Sequence, residues 1–183
     1  MAFWEFFRWS EKIQKKWDEK LAEAFPELLQ RFYKGDKKIN GYGAVFSLGE
    51  SRLSHGRRGG FYEIYWDSPV GIILTKNDMA VAGIGFKIKC GLIKRKLVHI
   101  NQIQGVRGRQ EFLPPKWERF LVSLVVECAK KMDFKRVEIL PSQENEWYTE
   151  ERAATLKIRY DVTAQRLGFK PDKESSGVYF KSL

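Results

Sequence analysis

The stretch from Leu97 to Leu140 restricts the fold of this chain more than any other. Trp117, Phe120, Leu121, Leu124, Val125, Cys128, Ala129 and Met132 recur at steps of three and four residues, which puts one broad apolar face on a helix. "LVHINQIQ" before that helix and "RVEIL" after it read as strands, the second ended by Pro141. Strand, loop, helix, strand in this order is a βαβ crossover, and it predicts that the two strands lie parallel. Pro114 and Pro115 fit the helix's first turn, where a missing N–H costs nothing. Lys130 and Lys131 fall in its last turn, where cations favour the helix dipole.

Upstream, residues 61–104 read as an antiparallel meander: "FYEIYW", then "PVGIILT", a "KND" turn, and the longer strand "MAVAGIGFKIK". "CGLIKRK" reads as a hairpin connection into "LVHINQIQ". Ala82, Gly83 and Gly85 are small enough to let a neighbour approach closely. Residues 40–60 are rich in glycine, serine and arginine and suit a loop or a short strand followed by a loop. Downstream, Ala153, Leu156, Tyr160, Ala164 and Leu167 share one face of a final helix. Gly168 sits where a C-cap glycine belongs, Phe169 can tuck back against the helix, and "GVYFKSL" is a last strand.

The chain has 183 residues, which suits one domain, with residues 1–35 as an N-terminal helical segment. In that segment Phe6, Trp9, Ile13, Trp17 and Leu21 recur at helical spacing. Pro26 is expected to break or restart the helix, and Gly35 and Asp36 to end it. The aromatic face is expected to pack on the domain, or on a second copy in a homodimer. An interfacial membrane helix is the alternative. Glu5 and Arg8 interrupt the opening aromatics, so neither a signal peptide nor a membrane span is expected, and a cytoplasmic protein is the default.

Lysine and arginine number 33 against 23 acidic residues, a net charge of +10. That balance suits an anionic partner: nucleic acid, anionic lipid or a phosphorylated cofactor. The basic residues Arg57, Arg58, Lys94, Arg95, Lys96, Arg107 and Arg109 are candidates for a nucleic-acid surface, although no nucleic-acid motif accompanies them. Cys90 and Cys128 lie far apart with no metal-ligand spacing, so reduced structural thiols and no metal site are expected.

The order of elements, together with the tail "YDVTAQRLGFKPDKESSGVYFKSL", resembles the Gcn5-related N-acetyltransferase (GNAT) superfamily, with this chain as a divergent member. The resemblance covers residues 61–183, and its anchors are the βαβ order around Gln104 to Leu140 and "RLGF" at Arg166 to Phe169. It implies an α/β (α+β) fold: a mixed, mostly antiparallel twisted sheet with flanking helices, here with an N-terminal helical extension. It also implies an enzyme that moves an acetyl group from acetyl-CoA, or another acyl-CoA, to an amine of a small molecule or a peptide.

In the family a Q/R-x-x-G-x-G/A loop after the fourth strand holds the cofactor's pyrophosphate. Gln102, Gly105 and Arg107 follow Q-x-x-G-x, but Arg107 replaces the small last residue and Gly108 comes one place late. By resemblance Ile103, Gln104, Gly105, Val106, Arg107, Gly108 and Arg109 are the cofactor-binding stretch, and Asn145 lies near the pantetheine arm. Arg107 and Arg109 could also pair with phosphates directly, since a guanidinium binds them bidentately. The family's tyrosine acid, four residues before the "GF" glycine, is replaced by Ala164. Tyr160, one turn earlier on the same face, is the candidate substitute. His99, with an ordinary pKa of about 6.5, is the candidate base for the incoming amine. The alternative is a catalytically inactive module on the same fold, with a basic surface for nucleic acid or another anionic partner.

Overall fold

The computed structural model describes residues 3–34, 36, 39–48, 68–90, 96–172 and 177–183. Helix α1 (Phe3–Tyr33) leads into strands β1 (Tyr42–Leu48), β2 (Val70–Lys76), β3 (Met79–Cys90) and β4 (Lys96–Gly105). Helix α2 (Trp117–Lys131) then connects to β5 (Arg136–Ile139). After it come α3 (Ala153–Lys157), a π-helical turn (Ile158–Val162), α4 (Thr163–Arg166), β6 (Lys170–Pro171) and β7 (Tyr179–Ser182). The seven strands form one sheet in the order β1-β2-β3-β4-β5-β7-β6. Every neighbouring pair is antiparallel except β4 and β5, which run parallel as the crossover requires. This is the mixed, mostly antiparallel sheet with flanking helices expected from the sequence.

One buried core joins the sheet to its helices. Val98 and Ile100 of β4 and Val137 and Ile139 of β5 supply its floor, and Phe120, Leu121, Leu124 and Cys128 of α2 cover it. Burial pushes the Cys128 thiol up to about 12, so it behaves as a packed apolar side chain. In α1, Trp17 is 1% exposed and stacks on Phe46 at 5.2 Å, with Phe86 at 4.8 Å. The aromatic face of this helix, as far as its side chains are described, therefore packs on the chain's own sheet. Among the described residues no helix is long and apolar enough to cross a membrane.

Three expectations need correction. Pro26 does not break α1, which runs unbroken through it. The proline stands on the exposed side, while Leu21, Ala24 and Leu28 anchor the helix to the core before and after it. Pro114 and Pro115 do not enter α2. That helix starts at Trp117 behind Lys116, an N-cap in the left-handed region with φ of 61°. Arg109 is not a surface residue, being only 7% exposed. The short strand β6 was not anticipated; it forms where Lys170 and Pro171 pair with Phe180 and Tyr179. "FYEIYW", Arg57, Arg58, Lys94, Arg95 and the side chains of Phe6, Trp9 and Cys90 lie outside the described residues.

The turn between β2 and β3 places Asn77 and Asp78 at φ of 48° and 62°, the two left-handed positions that a tight hairpin needs. At the far end, Gly168 adopts φ of 76°, and Phe169 N–H donates back to the Ala164 carbonyl at 3.0 Å. That is the helix-ending arrangement expected of "RLGF".

Candidate functional site

The site begins with one extra residue in β4. Gly85 pairs with Gln102 and Phe86 with Ile100, so Asn101 is a β-bulge. The bulge shifts the alternation of the strand: Val98 and Ile100 face the core before it, and Ile103 faces the core after it. It also coincides with the place where β5 leaves. Pairing of β4 with β5 runs from Leu97 and Arg136 to Ile100 and Ile139, and a last bond joins Leu140 N–H to the Ile100 carbonyl. Beyond that point β4 continues alongside β3 only, and β5 turns away at Pro141 into the short 3-10 turn Ser142–Glu144.

The C-terminal helix fills the wedge with side chains from its π-helical turn. Ile103 N–H donates to the Tyr160 hydroxyl at 2.9 Å, and that hydroxyl lies 3.4 Å from the Asn101 carbonyl. The next residue, Asp161, accepts from Ser142 through both its backbone N–H at 3.0 Å and its hydroxyl at 2.6 Å. Two consecutive residues thus tie the helix to β4 and to the turn that follows β5. A π turn carries one more residue per turn than an α-helix, and such turns recur at functional sites. Asn145 completes the set, its side-chain amide donating to the Asn101 carbonyl at 3.4 Å.

Above this seam lies a cavity of about 660 Å³, within the size range of small-molecule sites. It is lined by β4 and its continuation from Gln102 to Arg107, by Asn145 and Trp147, and by the face of the C-terminal helix bearing Arg152, Leu156, Arg159 and Tyr160. The structure therefore gathers Ile103, Gln104, Gly105, Val106, Arg107, Asn145 and Tyr160 around one space. Gly108, Arg109 and His99 do not line it. Gly108 sits in the following turn at φ of 75°, with open space where a side chain would point. Ala164 is fully buried in the core.

His99 points to the other face of the sheet. Its Nδ1 lies 3.1 Å from Glu138 Oε2, Glu138 Oε1 is ion-paired with Arg136 Nε at 2.9 Å, and Arg136 continues to Asp172 at 2.5 Å. Burial holds the His99 imidazole below its ordinary range. Lys89 and Lys87 push the same way, and together they outweigh the Glu138 hydrogen bond.

Sequence reasoning missed Glu151, Arg152, Arg159 and Trp147 as cavity residues. The spacing of Arg152, Leu156, Arg159 and Tyr160, at offsets of four, seven and eight, places them on one helix face and was the available signal. Arg159 is half-buried, with its guanidinium 5.6 Å from the ring centre of Trp117, and burial lowers its pKa while Glu118 opposes the shift.

The resemblance implies coenzyme A, and the residues present fit that group unevenly. The arginine rim suits its phosphates. The backbone cradle fits less well, because the two residues before the α2 N-cap are prolines without N–H, and the Glu118 carboxylate bonds to its own backbone N–H in the first turn. Nor is the β4 edge fully open, since Ile103 N–H is already bonded to Tyr160. Among the described residues no group of three metal-ligating side chains occurs.

No protein-family model matches this chain, and no curated protein matches it. Solved structures similar to it include Naa50 of Arabidopsis thaliana in complex with the bisubstrate analogue CoA-Ac-MVNAL, at 14% identity and a TM-score of 0.40, covering 62% of this chain and 72% of that one. An acetyltransferase of the GNAT family from Streptococcus pneumoniae is similar at 11% identity and a TM-score of 0.41, covering 62% and 66%. A GNAT-family acetyltransferase from Listeria monocytogenes is similar at 10% identity and a TM-score of 0.41, covering 62% and 64%.

Proposed function

We propose that the wedge between β4 and β5 binds an acyl-coenzyme A and that the chain is a divergent GNAT-type N-acyltransferase, passing an acyl group to an amine of a small molecule or a peptide. The observation that carries this reading is the parting of two parallel strands at the Asn101 bulge, which leaves a strand edge facing a ligand-sized cavity. An acyl-coenzyme A, when bound, would supply a thioester whose carbonyl carbon an amine can attack, with the coenzyme A thiol as the leaving group.

The chain's own residues supply binding and proton handling. Ile103 offers a backbone N–H, presently held by Tyr160, and Asn145 lies beside the same edge. Tyr160 presents its hydroxyl at the cavity wall, 3.4 Å from the Asn101 carbonyl. Glu151 is the one carboxylate among the described lining residues and is the acceptor best placed to take a proton from an ammonium substrate. His99 serves the sheet and not this reaction.

A second reading, a binding module without turnover, is favoured by Ala164 in the acid's expected place and by the prolines ahead of α2. Thermal melting with acetyl-CoA, followed by thiol release in the presence of an amine panel, decides between them. The transferase is expected to melt at higher temperature with the cofactor, by linkage of binding to folding, and to release free thiol. Stabilisation without thiol release selects the binding module. No stabilisation at millimolar cofactor removes the transferase.

A further inference from the structure

The cavity's charge is as distinctive as its shape. Three arginines, Arg107, Arg152 and Arg159, line it against the single carboxylate of Glu151. They come from two separate places, the turn after β4 and the C-terminal helix, so folding is what brings them together. Arg159 is the best held of the three, half-buried and set against the ring of Trp117, the first residue of α2. The other anion-binding feature available, the N-terminus of α2, is weak by comparison. Its approach is Pro114 and Pro115, its N-cap is Lys116 in a left-handed conformation, and its first turn carries the chain's own Glu118, whose carboxylate interacts with its own backbone N–H and with Arg159. A phosphate at that helix end would share its donors with that carboxylate.

We propose that Arg107, Arg152 and Arg159 form a side-chain clamp for the diphosphate of a nucleotide-type ligand, replacing a backbone cradle at the start of α2. This rests on the cofactor reading above for the identity of the ligand, but the clamp is selective for the diphosphate whatever is attached to it. Guanidinium groups bind phosphate oxygens bidentately and keep their charge when partly desolvated, so three of them can hold a diphosphate where few N–H groups are on offer.

Calorimetric titration of the full chain with coenzyme A, with ADP, and with pantetheine, which lacks the phosphates, tests the clamp. Coenzyme A and ADP are expected to bind with an affinity that falls as salt is raised, and pantetheine alone to bind far more weakly. Arg159→Gln is expected to weaken both phosphorylated ligands about tenfold, the scale of one lost charge-assisted bond. Because Arg159 also faces Glu118, the double variant R107Q/R152Q, at two exposed positions, gives the same reading without disturbing the fold. Undiminished binding of coenzyme A by both variants overturns the clamp and leaves the cofactor reading standing. Binding of ADP but not of acetyl-CoA, lost in the variants, upholds the clamp and removes the acyltransferase. Failure of wild-type protein to bind any of the phosphorylated ligands overturns both.

Discussion

The two halves of β4 belong to one strand but solve different problems. From Leu97 to Ile100 the strand is paired on both sides, with apolar residues toward the helices and His99 beside Glu138, which leads on to Arg136 and Asp172. From Asn101 onward it has lost β5, and the polar groups of that edge meet Tyr160 and Asn145 from elsewhere in the chain. The paired half is held by ladder bonds on both sides and by its ion pairs. The parted half is held by side chains that a ligand could replace, so the lower stability belongs to the edge that faces the cavity.

Glu138→Ala should do the most damage, because it removes the partner of His99 and one of the two carboxylates paired with Arg136 on a mostly buried face. A loss of about 3–5 kcal/mol in chemical denaturation is expected, the usual scale for breaking a buried pair. A loss below 1 kcal/mol (about the worth of a surface ion pair) would mean that the paired half is held by its apolar side alone. Tyr160→Phe comes next. It leaves the buried Ile103 N–H without its hydroxyl partner at a cost of about 1–3 kcal/mol, and an acyl-CoA ligand that bonds to that edge should restore part of the lost stability. If the ligand stabilises the variant no more than wild type, Ile103 is not part of the site.

The smallest effect is expected from pH. Since folded His99 titrates below its ordinary 6.5, the unfolded chain takes up the proton first as pH falls. The contribution of this residue to stability is complete above that value, declines as pH drops below it, and levels off beneath the folded pKa. His99→Gln should flatten this part of the melting profile. An unchanged slope would assign the acid sensitivity to other groups.

How far the sequence reached follows the same division. The periodicity of α2 and the order around it were enough to predict the parallel pair, because burying one apolar face is a demand that composition displays openly. "RLGF" marked the helix end because a left-handed position favours glycine strongly. The bulge left no comparable trace, since Asn101 differs in no obvious way from its neighbours and only pairing with β3 exposes it. The π-helical turn is equally silent, as it shifts the helix by one residue without changing its composition. Arg109 misled because an arginine in a glycine-rich stretch reads as solvent-facing, whereas the chain folds over it. Arg152 and Arg159 stand beside an apolar stripe that dominates the pattern of their helix and masks the charges on the same face.

The adjacency of Tyr160 and Asp161 has a mechanical consequence. One residue holds β4 and the very next holds the turn after β5, so the width of the wedge is gauged by a single peptide unit. Anything that pries the strands further apart must either release one of those two grips or drag the helix with it. Dragging the helix pulls on Gly168 and, through Lys181, whose ammonium donates to the Leu167 carbonyl at 2.8 Å, on β7. A ligand that widened the wedge would thereby be felt at β7, which does not line the cavity.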